Sequence, residues 1–271
     1  MPQHSNAAEP KSSKGLIAAI IAVVVVALAL VGAWVLVANQ PEPVVENSGE
    51  STAMGVVDVA DDGRIKNPID WQAYQERNPS VYAWLAVPGT EVDLPILQHP
   101  MADEFYLTHD IDGEPDLAGE LFTQMLWNSK DFTQDAVTVV YGHTFEDNSS
   151  FKDQMMSTLH NLEDPAFFEE NGEFYIFTPD SRLTYRIVSA FEYDNRHILQ
   201  TTSGFSDPAV LQNWLDYVQA PDSLNKNARA IEGGLIAGED KLVILSTCTK
   251  PANDAARYLV VGVLENVEET V

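Results

Sequence analysis

From Val81 onward the chain breaks into short apolar or alternating runs divided by turn residues. Val81–Val87, Leu94–Gln98, Glu120–Thr123, Val137–Tyr141, Phe174–Thr178, Tyr185–Tyr193, Leu242–Thr247 and Tyr258–Leu264 have the length and the β-branched or aromatic content of strands. Pro88-Gly89 and Pro179-Asp180 mark turns between them. Helical patterning predicts a short helix from Ile69 that stops near Asn78-Pro79, because the residue before a proline disfavours α geometry. Pro165–Asn171 predicts another. Asp207–Gln219 is the clearest, with Pro208 near its start and Val210, Leu211, Trp214, Leu215 and Val218 on one face. Many strands with a few inserted helices fit a closed barrel, which removes unpaired edges, or a sandwich; the pattern leaves both open.

The N-terminal part reads differently. Gly15 to Ala38 carries no charge, and as a helix at ~1.5 Å per residue it would reach ~35 Å, enough to cross a bilayer core. Lys11 and Lys14 precede it and Glu42, Glu46 and Glu50 follow, which predicts a single-pass anchor with a cytoplasmic N-terminus and an external body. A cleaved signal peptide is the competing reading, but the run is long and Leu36-Val37-Ala38 is a poor cleavage site. The expected organisation is a tail over 1–14, a membrane anchor over 15–38, a linker over 39–65 with Pro41 and Pro43, and one folded domain over 66–271.

Charge removes one class of partner. Lys plus Arg number 15 against 41 Asp plus Glu, a net charge of -26, so nucleic acid is excluded as an expected ligand. The acidity is spread along the chain and reads as a solubility device. No set of acidic, histidine or cysteine residues has metal-ligand spacing, and no cofactor is expected.

Cys248 is the sole cysteine, so an internal disulfide is excluded. A lone cysteine is most often a small buried hydrophobe. This one ends the run Lys241-Leu242-Val243-Ile244-Leu245-Ser246-Thr247-Cys248; Arg257 opens the last run, and Tyr141-Gly142-His143 ends the run from Ala136. A thiol, an imidazole and a guanidinium therefore each sit at a predicted strand end, where side chains are held rigidly at a rim. A thiolate is a nucleophile, an imidazole can carry a proton to and from it, and a guanidinium can hold a developing oxyanion. His99, His109, His160 and His197 lack comparable flanking residues, and His4 lies in the tail.

Ile244-Leu245-Ser246-Thr247-Cys248 matches, except at its first position, the Thr-Leu-x-Thr-Cys signature of the sortases, and the order His, Cys, Arg matches too. The chain from about Ile69 to Leu264 resembles this family of cysteine transpeptidases of Gram-positive cell surfaces. Trp84-Leu85-Ala86-Val87-Pro88-Gly89-Thr90, Phe105-Tyr106-Leu107-Thr108-His109-Asp110 and Tyr141-Gly142-His143 with Phe151-Lys152 resemble its class B branch. The resemblance implies an eight-stranded β-barrel with extra N-terminal helices. It implies Cys248 as nucleophile, His143 as general acid/base and Arg257 as oxyanion or substrate clamp, with no metal. The implied substrates are surface proteins with a C-terminal, threonine-containing sorting motif of Asn-Pro-x-Thr type. A peptidoglycan precursor or a pilin lysine would supply the amine that resolves the thioester.

Ser246, Thr247, Leu97 and Tyr106 are the expected groove residues, and the loops Asp194–Ser206 and Pro221–Gly238 the expected determinants of specificity. The chain departs from the family pattern at Ile244, at Thr144, where asparagine is common, and at Gln124-Met125-Leu126-Trp127-Asn128, where a more polar stretch is common. Two other readings stand beside this one: a secreted cysteine peptidase that gives the same thioester to water, and a non-catalytic surface assembly module. Papain-like enzymes place Cys before His, and L,D-transpeptidases have a much closer His and Cys, so neither pattern fits.

Overall fold

The computed structural model describes residues 58–271. The tail, the apolar run over 15–38 and most of the linker lie outside the described residues. Among the described residues no helix is long and apolar enough to cross a membrane.

Among the described residues nine strands make one sheet: β1 (Val81–Ala86), β2 (Asp93–Leu97), β3 (Leu121–Phe122), β4 (Val137–Tyr141), β5 (Glu173–Phe177), β6 (Ser181–Asp194), β7 (Lys226–Ala228), β8 (Leu242–Thr247) and β9 (Ala256–Glu269). Their order is β5-β1-β2-β3-β4-β8-β9-β6-β7, and β5 also pairs with β6. Eight strands thus close into a mixed barrel, with β7 attached to β6. The pairs β2–β3 and β4–β8 are parallel and the others antiparallel. This settles barrel over sandwich. The expected strands are all present; β6 and β9 run longer than their apolar cores because polar residues at their ends still pair, as in Ser181↔Glu269 and Arg182↔Glu268. The short, polar β7 gives no apolar signal and lies inside a stretch expected to be loop.

Period-two alternation explains why central strands are buried on both faces. From β8, Val243 and Leu245 enter the barrel interior with Val140, Tyr185, Tyr258 and Val260. Leu242 and Ile244 point outward and pack with Val137, Val139, Leu259 and Val261 under helix α4 (Pro208–Gln219), which supplies Leu211, Trp214, Leu215 and Val218. The helices begin as their sequences require. Asp207 accepts from Ala209 N–H ahead of Pro208. Asp164 caps α2 (Pro165–Glu170) ahead of Pro165, and Asp70 caps α1 (Trp71–Arg77). Tyr74 of α1 meets Trp84 edge-on at 4.9 Å, covering β1. A one-turn helix α3 (Ile198–Thr201) is capped by the His197 ring, which accepts from Gln200 N–H; its four residues are too short to show periodicity.

Residues 58–65, expected as the end of a flexible linker, turn back on themselves and dock. Val59 bridges Ile65, Ile65 bridges Thr270, and Asn67 Nδ2 donates to Thr178 O and Thr270 Oγ1. Ile65 is buried there, so this segment gains both apolar burial and backbone partners that its composition concealed.

Two positions show how tightly the barrel is specified. Phe174 and Tyr185 stack at 5.1 Å inside it, and a Cβ added at Gly262 would lie 2.4 Å from Phe174 Cε1. Gly262→Ala should therefore lower stability by about 1–3 kcal/mol in denaturant titration; an unchanged midpoint would show that the ring has room to yield. The second position is Glu120, at the end of the β2–β3 connection. Its Oε1 accepts from Ile111 N–H at 3.0 Å, and burial pushes its pKa from 4.5 up to about 7, with Asp110 adding to the rise. The folded state then holds this proton more tightly than the unfolded chain does, so its contribution is fully present below about pH 4.5 and is lost as pH rises through about 7. Glu120→Gln keeps the acceptor and removes the titration. Its stability relative to the parent should rise by about 1–3 kcal/mol between pH 4.5 and pH 8; a difference that stays flat with pH would refute this.

Candidate active site

Strand register assembles the site. β8 lies between β4 and β9 in the sheet. In the parallel pair Tyr141 is opposite Ser246, and in the antiparallel pair Thr247 is opposite Tyr258. Continued past those last pairs, the same registers set His143 on one side of Cys248 and Arg257 on the other. Alternation puts all three on the outward face, in phase with Tyr141, Ser246 and Leu259 rather than with inward Val260 and Tyr258. Helix α4 covers this face lower down and leaves the row exposed. The uncovered part is a cleft of about 470 Å³ whose lining includes His143, Cys248, Arg257, Ser246, Leu107 and His197.

Each group is held from behind. Pairing persists beyond the strand ends: Gly142 N–H donates to Ser246 O at 3.3 Å, and Thr247 Oγ1 donates to Gly142 O at 2.7 Å. Thr247 Oγ1 also lies 2.7 Å from Thr144 Oγ1. Thr247 faces inward and is only 2% exposed, so its hydroxyl is engaged in tying the Cys248 strand to the His143 segment. His143 Nε2 is 2.8 Å from Leu107 O; a carbonyl only accepts, so Nε2 carries the proton and Nδ1 is left without a partner among the described residues. Met156 N–H donates to His143 O at 2.9 Å and fixes the backbone there.

Arg257 Nη1 donates to Ala256 O at 2.7 Å and to Asp254 O at 3.4 Å. No carboxylate pairs with it among the described residues, so the rest of its donor fork remains available. Cys248 itself is partly exposed and its thiol is free. Tyr141 also lines the cleft, while its hydroxyl is buried and has no partner among the described residues. Burial pushes its pKa up, with Glu104 and Asp103 adding to the rise, so it stays a neutral phenol.

Among the expected groove residues, Ser246 and Thr247 border the cleft, whereas Leu97 and Tyr106 do not. Leu97 is fully buried and Tyr106 is 3% exposed; both pack with Val81, Ile111 and Phe122 behind the lining residues Leu107 and Tyr141. Tyr106 OH is occupied by Asn78 Nδ2 at 2.9 Å. The apolar character of these two residues serves the floor beneath the cleft. The loop after β6 does border it, through Asp194, Asn195, Arg196, His197 and Ile198. The stretch over 221–238 does not, because β7 pairs with β6 and Leu235 packs under α4. Leu107 acts through its backbone carbonyl, which its side-chain type does not announce; His197, expected only as part of the loop Asp194–Ser206, has its Nε2 2.7 Å from Gln124 Oε1 across the cleft lining. No group of His, Cys, Asp or Glu able to hold a metal ion occurs among the described residues.

No protein-family model matches the chain. Sortase B of Listeria monocytogenes is 28% identical over 197 residues, covering 70% of this chain and 72% of that protein. The structure of Clostridium perfringens sortase B superposes with a TM-score of 0.60 at 25% identity, over 72% of this chain and 99% of that one. A Streptococcus pyogenes class B sortase involved in pilus biogenesis gives 0.59 at 25% identity, over 74% and 100%. The mixed barrel, the Cys248 run at the end of β8 and these relatives make the chain similar to the class B sortases and indicate a cysteine transpeptidase.

Proposed function

We propose that Cys248 is the nucleophile of this transpeptidase, His143 its proton carrier and Arg257 the clamp on the attacked carbonyl. The observation that carries this reading is the single row His143, Cys248, Arg257 on one exposed face of three adjacent strands. The Cys248 thiol passes its proton to His143, and its sulfur adds to the carbonyl carbon of a threonine in a C-terminal sorting motif of Asn-Pro-x-Thr type. Negative charge collects on the carbonyl oxygen, where Arg257 and a backbone N–H beside Cys248 can donate. The C–N bond then breaks, and His143 delivers a proton to the leaving amine through the nitrogen not bound to Leu107. An acceptor amine attacks the resulting thioester and gives up a proton to His143; the C–S bond breaks, the new amide forms and Cys248 is released as the free thiolate.

The Streptococcus pyogenes relative is involved in pilus biogenesis, and both a pilin lysine and a peptidoglycan amine fit the acceptor role in this chemistry. The uncharged run from Gly15 to Ala38 supports a single-pass anchor that holds the catalytic domain outside the membrane, where surface proteins and acceptor amines meet. The loop over 194–198 borders the cleft and is positioned to read the motif.

The purified chain, incubated with a panel of threonine-containing sorting peptides with and without an added amine and followed by intact mass, should gain a peptide thioester that the amine resolves. Cys248→Ala should gain none. A thioester cleared only by water would mean a peptidase, and no adduct on any peptide would overturn the substrate class. Arg257→Ala should lose about 10²–10³ in kcat/KM, the usual cost of one oxyanion donor. A loss confined to KM would move Arg257 from the oxyanion to ground-state binding of the peptide.

A further inference from the structure

His160 has no part in the chemistry above, yet it touches the backbone of Cys248. It lies in the 3-10 turn Ser157–Glu163, with a side chain only 8% exposed and its ring stacked on Tyr258 at 4.5 Å. Its Nε2 is 3.0 Å from the Cys248 carbonyl oxygen, and its Nδ1 is 2.5 Å from Glu163 Oε1. The carbonyl oxygen and the Glu163 carboxylate both accept, so both ring nitrogens donate, and Glu163 fixes the rotation of the ring.

A trans peptide is planar, with its C=O and N–H on opposite sides, and the Cys248–Thr249 bond is trans. Drawing the Cys248 carbonyl toward His160, which is not part of the cleft lining, turns the Thr249 N–H the other way. That N–H has no acceptor among the described residues, although Thr249 is 4% exposed. An unpaired N–H in so buried a residue is uncommon and marks a donor held for something else.

We propose that His160 and Glu163 form a positioning pair that orients the Cys248–Thr249 peptide so that the Thr249 N–H donates to the oxyanion formed on Cys248. The inference rests on the acyl-transfer reading above and adds to it the groups that aim the backbone donor. His160 touches neither substrate nor reacting atoms; it acts through the peptide it holds.

The test compares reactions of the same thiol that do and do not make an oxyanion, in the full chain and in His160→Phe and His160→Gln. Iodoacetamide alkylates Cys248 without an oxyanion. p-Nitrophenyl acetate acylates it through an oxyanion but needs no peptide groove. A sorting peptide needs both. Phenylalanine preserves the stack on Tyr258 and removes the donor, whereas glutamine places an amide N–H near the position of Nε2. His160→Phe should alkylate within about twofold of the parent while both acylations slow by about 10–100-fold with little change in KM, and His160→Gln should recover most of that loss. Glu163→Ala, which frees the ring, should shift the same ratio of acylation to alkylation in the same direction by a smaller factor, and it serves where His160→Phe does not fold. Acylation at the parent's rate in His160→Phe, or alkylation and acylation falling together, would overturn the proposal. If p-nitrophenyl acetate and iodoacetamide rates separate as expected but no sorting peptide reacts with any form, the positioning role stands and the sorting reading falls. If peptides react equally well with every form, the positioning role alone is lost.

Discussion

Everything at the site depends on the register of one strand between its two neighbours. β8 is parallel to β4 and antiparallel to β9, so His143 enters the site as the chain leaves β4, Cys248 as it leaves β8, and Arg257 as it begins β9. Neighbouring strands are about 4.8 Å apart, which brings residues distant in sequence into one row without any dedicated loop. A slip of one residue in either pairing would move a partner along the row and turn its side chain to the opposite face. The Thr247 hydroxyl, fixed between Gly142 O and Thr144 Oγ1, holds the register at the point where the ladder itself ends.

The two faces of these strands do different work, and the division explains why a barrel carries the site. Inward residues such as Val243, Leu245, Val260 and Tyr258 fill the closed interior, and outward residues below the row are sealed by α4. The strands are consequently packed on both faces up to the row, where the outward face opens into the cleft. Tyr258 links the two halves: its face is interior packing, and its ring is the surface on which His160 stacks to reach Cys248 O. The loop Glu146–Ala252 contact and the Lys250–Asp147 ion pair at 3.0 Å fasten the segment after Cys248 in the same sense.

Much of this was legible in the sequence because strands buried on both faces leave long apolar runs and helices with Asp-Pro starts leave clear boundaries. Cys248, His143 and Arg257 stood out because each follows or opens such a run. Their adjacency was not legible from the runs: strand order β4-β8-β9 is a property of the closed sheet, and the family resemblance supplied what patterning lacked. Leu97 and Tyr106 were misplaced because an apolar residue near a site reads the same whether it lines a cleft or supports it. The role of Leu107 was not legible because a backbone carbonyl has no sequence signature. His160 was passed over because its flanking residues resemble no motif; only the fold brings it behind Cys248. The segment 58–65 was misread because polar composition does not reveal backbone pairing with a distant C-terminus.

The charge of the chain gives the state of Arg257 its meaning. With 41 acidic residues against 15 basic ones, an arginine at random would be expected to find a carboxylate. Near the site the carboxylates are engaged elsewhere: Asp194 with Arg196, Asp147 with Lys250, Glu146 with Ala252 N–H, and Glu163 with His160. Glu104 lines the cleft without pairing to Arg257 and acts instead on Tyr141. Among the described residues Arg257 is left bound only to backbone carbonyls. A guanidinium held by neutral groups keeps its full charge for a ligand, whereas one neutralised by a carboxylate would have to break that pair before it could meet a developing oxyanion. The neighbouring acids are thus occupied in ways that leave the guanidinium available for the oxyanion role proposed for it, through contacts that need not touch the substrate.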